Sequence, residues 1–92
     1  MRISKEQAAF FRNFWGARAD VYLFGSRTDD LAKGGDIDIL LLSESKVILD
    51  EKIDFIASFF EKFGEQKIDV VAYSYQEIDT FKTIAQLRAV RL

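Results

Sequence analysis

The chain contains no cysteine and no histidine among its 92 residues. Disulfides, thiol nucleophiles, imidazole bases and zinc sites built on thiolate or imidazole are thereby excluded, and carboxylates are left as the metal ligands. Carboxylates alone select a hard cation such as Mg²⁺. Long apolar runs are missing as well. None approaches the roughly 18 residues that a membrane span needs, and the segment Met1 to Gln7 is polar without an apolar signal core, so a cytoplasmic protein away from membranes is expected. Nor is there an excess of either charge: 13 Lys and Arg oppose 15 Asp and Glu, a formal net charge of −2. The basic residues do not cluster, which disfavours nucleic acid as a partner. What the chain has is apolar content, 49%, enough for residues 1–92 to form one domain with its own core.

Periodicity orders that content. Ser4 followed by Gln7 has the capping-box spacing, and Lys5 to about Arg18 places its apolar residues at helical intervals. Asp20 to Phe24 reads as a buried strand stopped by Gly25, Ser26 to Gly35 as a polar connection with room for one helical turn, and Ile37 to Leu42 as a second buried strand. From Lys46 to Phe63 a helix is expected, with Leu49, Ile53, Ile56, Phe60 and Phe63 on its core stripe and Gly64 as its stop. Lys67 to Tyr73 gives a third strand and Gln76 to about Arg88 a last helix. The expected fold is thus mixed α/β, a three-stranded mixed sheet flanked by helices in the order α-β-(α)-β-α-β-α.

The polar residues set the strand directions. Ser26 follows the end of the first strand, whereas Asp36 and Asp38 open the second, so one site contains both only if these strands are antiparallel. Asp69 also lies at the start of its strand, and the long intervening helix supplies the crossover of a parallel pair. The carboxylates then meet at one edge of the sheet. Residues i and i+2 of a strand share a face about 7 Å apart, so Asp36 and Asp38 form a bracket for metal. Divalent ions about 3.5 to 4 Å apart relieve such mutual repulsion while clamping an in-line phosphoryl or nucleotidyl displacement. Asp-X-Asp alone is an ordinary strand start; its weight comes from Gly25 and Ser26 upstream. Gly25 lets the turn approach a ligand, and Ser26 offers a hydroxyl and a backbone N–H to phosphates. Arg27 and Lys33 stand in the same loop, either to neutralise phosphates or to face solvent. Asp69 interrupts the apolar run Ile68-Asp69-Val70-Val71, where burial without a partner is costly. A shared metal, the proton of an attacking hydroxyl, or an ion pair with Lys67 or Lys82 would each account for it.

The segment Leu23-Phe24-Gly25-Ser26-Arg27, nine further residues counting Arg27 itself, then Asp36-Ile37-Asp38-Ile39-Leu40, with Asp69 on a later strand, resembles the minimal nucleotidyltransferases of the DNA polymerase beta superfamily. The spacing from Ser26 to Asp36 is one residue shorter than the commonest form in that family, and Gly34-Gly35 stands where bulkier residues are usual. The resemblance spans essentially the whole chain. It implies a nucleotidyltransferase fold, nucleotide phosphates at Gly25 and Ser26, where Arg27 of the same loop is expected to join them, and two Mg²⁺ ions at Asp36, Asp38 and Asp69, the three catalytic residues. It further implies transfer of NMP, foremost AMP from ATP, to a tyrosine hydroxyl of a helical HEPN toxin, the nucleotidyltransferase acting as antitoxin. A non-catalytic binding antitoxin is the alternative, and polymerase-like addition of nucleotides to RNA or DNA a more distant one. The residues add one hint of a partner or a second copy. Phe10, Phe11, Phe14 and Trp15 on the first helix and Ile48, Phe55 and Phe59 on the long one are more apolar surface than one sheet face needs, leaving an interface or a Phe-rich core as readings.

Overall fold

A computed structural model describes residues 3–25 and 35–92. The elements are α1 (Lys5–Trp15), β1 (Asp20–Phe24), β2 (Ile37–Ser43), α2 (Leu49–Phe63), β3 (Ile68–Ser74), α3 (Thr80–Leu87) and β4 (Val90–Arg91). The sheet order is β3-β2-β1-β4, with β1 antiparallel to both β2 and β4 and β2 parallel to β3. The expected strand directions are those found, with four strands in place of three. β4 is two residues long and runs along β1, where Leu92 N–H also reaches the Val21 carbonyl at 2.9 Å. So short a strand has no alternation of its own and exists because β1 offers it a free edge.

Local chemistry sets the helix boundaries. α1 begins with the expected capping box: Ser4 Oγ accepts from Gln7 N–H at 3.0 Å and Gln7 Oε1 accepts from Ser4 N–H at 3.1 Å. It ends at Trp15, three residues before the expected Arg18, and Gly16 follows as C-cap. α2 starts at Leu49, later than the expected Lys46. The carbonyl of Ser45 is taken by Arg18 Nη1 and Ser43 Oγ, both at 2.7 Å, and the N–H of Ile48 donates to Glu51 Oε2 at 2.9 Å. These bonds keep residues 45–48 out of the helix. α3 starts at Thr80 and not near Gln76, because Asp79 caps it by accepting from Lys82 N–H at 3.0 Å.

Alternation divides the sheet into two faces. Val21, Leu23, Ile37, Ile39, Leu41, Ile68 and Ala72 point toward α1 and α2, where Phe11, Trp15, Phe55 and Phe59 complete the main core. Leu40 and Leu42, with Tyr22, Phe24, Val71 and Tyr73, point to the other face, where Ala85 of α3 packs on them. The expected stripe of α2 is corrected here. Phe55 and Phe59, read as a second face open to a partner, are fully buried, whereas Leu49 and Ile53 of the expected core stripe are 66% and 54% exposed; Ile56, Phe60 and Phe63 pack at the core's margin. The rings decide it. Phe11 lies 5.5 Å from Phe55 and 5.3 Å from Phe59 between centroids, and Trp15 lies 5.2 Å from Phe55. Each such ring removes more apolar area from water than Leu49 or Ile53 would, and aromatic pairs add about 0.5 to 1.5 kcal/mol beyond area. The Phe-rich core is therefore the reading that holds for Phe11, Trp15, Phe55 and Phe59. No described helix is long and apolar enough to cross a membrane.

Candidate active site

At one end of the sheet β1 finishes as β2 and β3 begin. Asp36 immediately precedes β2 and Asp38 lies within it, while Asp69 is the second residue of β3. Asp38 is in register with Phe24 on one side and with Asp69 on the other. Residues directly opposite each other share a face, so Asp38 and Asp69 project from neighbouring strands about 4.8 Å apart, on the side that α3 covers. The apolar residues that alternate with them, Ile37, Ile39 and Ile68, anchor both strands in the main core.

Gly25 closes this end from the side of β1. It has φ +77°, and a Cβ placed there would come within 2.2 Å of Asp38 Oδ2 and 3.1 Å of Asp38 Cγ. The turn after β1 thus fits against the Asp38 carboxylate only because residue 25 has no side chain. The sequence pointed to close approach at Gly25; the partner in that approach is Asp38 itself. Ser26 and Arg27, the other two residues expected to hold phosphates, lie outside the described residues, as do Lys33 and Gly34.

Electrostatics at this end are one-sided. The Asp38 carboxyl is raised above the usual range, first by desolvation, then by the charges of Asp69 and Asp36, and Lys67 opposes the rise. Lys67 Nζ lies 3.5 Å from Asp36 Oδ2, and its carbonyl accepts from Ile37 N–H at 3.1 Å. Two expectations for Asp69 change accordingly. It is exposed and not buried, so cost of burial is not what marks it. The two lysines offered as its ion-pair partners are engaged elsewhere: Lys67 with Asp36, and Lys82, buried, donating to the carbonyls of Ser74, Tyr75 and Glu77 at 3.0, 3.0 and 2.8 Å. Among the described residues no group of three acidic side chains is gathered tightly enough to hold an ion in this conformation. The donor set nevertheless fits a hard divalent cation. The oxygens are carboxylate, they repel one another across Asp38, and among the described residues the exposed ammonium of Lys67 opposes them.

The opposite end of the sheet is built differently. Arg18 holds Glu51 through two bonds, Nε to Oε1 at 2.9 Å and Nη2 to Oε2 at 3.0 Å, and the same guanidinium reaches Ser45 O. Phe14, Trp15, Arg18, Glu51 and Asp54 line a small pocket beside this pair, on the seam between α1 and α2 and away from the three carboxylates. Asp20, at the same end, accepts from Arg91 Nη2 at 2.7 Å and from the hydroxyl of Tyr75. The sequence reading did not anticipate the Arg18–Glu51 clamp. Its one local signal was Glu51 three residues after Ile48, the spacing at which a carboxylate reaches back to a helix start.

An antiparallel-parallel sheet that brings aspartates to the glycine turn after its first long strand is the framework of a nucleotidyl-transfer domain. The nucleotidyltransferase domain family matches residues 4–91, and the chain belongs to that family. No curated protein matches the chain. Several solved structures share its fold, among them the following. A variant of the toxin–antitoxin MntA-HpeT carrying a tyrosine-to-alanine change is 16% identical, with a TM-score of 0.71 over 99% of this chain and 72% of that one. A second MntA-HpeT variant, with two aspartates changed to glutamate, is 14% identical, with a TM-score of 0.65 over 94% and 68% of the respective chains. The tri-AMPylated Shewanella oneidensis HEPN toxin in complex with MNT antitoxin gives 16% identity and a TM-score of 0.61 over 94% of this chain and 65% of that chain.

Proposed function

We propose that this protein is a Mg²⁺-dependent nucleotidyltransferase of the antitoxin type, which transfers AMP from ATP to a tyrosine hydroxyl of a helical HEPN-type partner in the cytoplasm. The observation that carries the reading is the register: Asp38 stands between Phe24 and Asp69 with the Gly25 turn fitted against its carboxylate. Asp36, Asp38 and Asp69 would hold the metal, two ions in the form the resemblance implies, and Gly25, Ser26 and Arg27 the nucleotide phosphates. Bound there, Mg²⁺ supplies the positive charge that three carboxylates and a triphosphate together require. The acceptor oxygen bonds to the α-phosphorus, the bond from that phosphorus to the oxygen bridging to the β-phosphate breaks, and pyrophosphate leaves with the electron pair. The hydroxyl proton passes to the carboxylate of Asp69, whose exposed position on the edge strand lets an acceptor approach it. The partner contributes orientation by docking. Support for partner and chemistry comes from the solved neighbours, one of them a tri-AMPylated HEPN toxin in complex with MNT antitoxin.

The test is incubation with ATP, Mg²⁺ and the product of the neighbouring gene, followed by mass mapping. AMP on a partner tyrosine, absent when Asp36→Asn and Asp38→Asn are combined, is the expected result. A second reading, a binding antitoxin without catalysis, is favoured by one feature. The Lys67 ammonium at 3.5 Å from Asp36 partly neutralises the acidic end from within the chain. Tight binding of the partner with no AMP transferred would select it, and label on RNA would select polymerase-like chemistry.

A further inference from the structure

Phe24 is the residue directly across from Asp38 in the antiparallel pair, and it lies on the same face. Its ring packs at the margin of the second apolar cluster with Leu40, Leu42 and Ala85. The ring of Phe81, in the first turn of α3, meets it edge-on, 6.0 Å between centroids at 78°, and Phe81 remains 48% exposed. One edge-to-face contact and 48% exposure leave about half of the Phe81 side chain open to solvent. Around it the outward side of α3 carries no charge: Thr80, Thr83, Ile84, Gln86 and Leu87 are its neighbours, and the one charged residue of the helix, Lys82, is turned inward to three carbonyls. An uncharged aromatic shelf therefore stands beside the carboxylate that would hold the metal, next to the Gly25 turn that would hold the phosphates. Directly opposed residues of an antiparallel pair lie about 5 Å apart at Cα, and one further ring contact spans about 6 Å, a reach comparable to that between the phosphates and the base of a nucleotide.

We propose that Phe81, backed by Phe24, is the face on which the base of the nucleotide stacks. The proposal rests on the nucleotidyl-transfer reading above and adds to it a recognition element remote from the chemistry. Stacking is tolerant of base identity, because every base has a π-face, and Phe81 offers no hydrogen bond with which to select among bases. The site so built prefers purines for their larger area and discriminates weakly between ATP and GTP.

Calorimetry with ATP and with inorganic tripolyphosphate, both as Mg²⁺ complexes, separates this proposal from the reading it rests on. The parent protein is expected to bind ATP about tenfold tighter than tripolyphosphate, the share a stacked base contributes. Phe81→Ala should bring ATP down to the tripolyphosphate level while leaving tripolyphosphate binding unchanged, Phe81→Trp should preserve the difference, and Ile53→Ala on α2, half-exposed and remote from the shelf, should do nothing. Unchanged ATP affinity in Phe81→Ala overturns the proposal alone, as does an equal loss for both ligands, which marks a general structural effect. A Phe81→Ala protein that binds ATP normally and loses only its protein partner also overturns it, assigning the shelf to docking. If the parent binds neither ligand, the nucleotidyl-transfer reading falls and takes this proposal with it.

Discussion

The two ends of the sheet treat their charges in opposite ways. Where β1 begins and β2 ends, Arg18 and Glu51 pair through two bonds, so the Glu51 carboxyl is held below its usual range by that pairing and by the N–H of Ile48. Where β1 ends and β2 and β3 begin, Asp38 is pushed above its usual range by desolvation and by two neighbouring carboxylates. The first end uses its ion pair to join the connection after α1 to the first turn of α2 and the loop before it. The second gathers like charge that costs the folded chain stability and that a bound cation would relieve. Among the described residues, charge paired within the chain thus marks structure, and mutually repelling charge marks the candidate site.

That contrast is open to direct attack. The largest effect on stability is expected beneath the clamped end, where Phe55 follows Glu51 by one helical turn. Phe55→Ala should cost about 3 to 5 kcal/mol, because a fully buried ring in contact with Phe11 and Trp15 leaves a cavity. Ile53→Ala, half-exposed on the same helix, should cost under about 1 kcal/mol. Urea unfolding of both checks the packing, and equal losses would restore the stripe read from periodicity. At the acidic end the opposite is expected. Asp36→Asn with Asp38→Asn should lower AMP transfer by about a hundredfold or more while the melting temperature without metal stays level or rises. A steep fall in melting temperature would make the pair structural and end the contrast.

Gly25→Ala comes next. It forces a Cβ against Asp38 Oδ2 at a positive φ, so a stability loss of about 1 to 3 kcal/mol is expected together with weakened Mg²⁺-ATP binding. Loss of stability with intact binding would show that Asp38 can shift without consequence. Arg18→Met is milder, about 1 kcal/mol, since the Arg18–Glu51 pair is one-third exposed and screened by solvent. Transfer activity should not move with it.

The smallest effect is the slope of stability against pH, and its sign differs between the ends. A raised folded pKa means that the folded state binds the proton more tightly, so the Asp38 contribution to stability declines as pH rises from 3.8 through the folded value. Glu51, with a lowered folded pKa, contributes stability that is present above 4.5 and is lost as pH falls through its folded value. Denaturant midpoints measured across this range should show the decline removed by Asp38→Asn and the acid loss reduced by Glu51→Gln. If both variants alter the slope in the same direction, the two ends are not electrostatically opposed.

Much of this organisation was legible in the chain before any fold was known. Gly25, Asp36, Asp38 and Asp69 could be assigned to one end of a sheet because apolar runs fix where strands begin and end, and a ten-residue connection and a long helix dictate antiparallel and parallel pairing. The capping box of α1 was legible for the same reason, since both partners lie within one turn. The late start of α2 was not, because it depends on Arg18 taking the Ser45 carbonyl from 27 residues away.

The sequence by itself determined the order of elements, the directions of the three long strands and the gathering of the acidic residues, all consequences of spacing along the chain. Tertiary structure decided which side of α2 goes inward, because its apolar residues span an arc wide enough for two stripes and only the rings of α1 select Phe55 and Phe59. It decided that Asp69 is exposed while Ile68 beside it is buried, since alternation gives Ile68 the main core to pack in and turns Asp69 to the other face. It gave Lys67 to Asp36 and Lys82 to three carbonyls, and it added β4. Periodicity constrains distances along one element, whereas facing, pairing and exposure depend on what arrives opposite it.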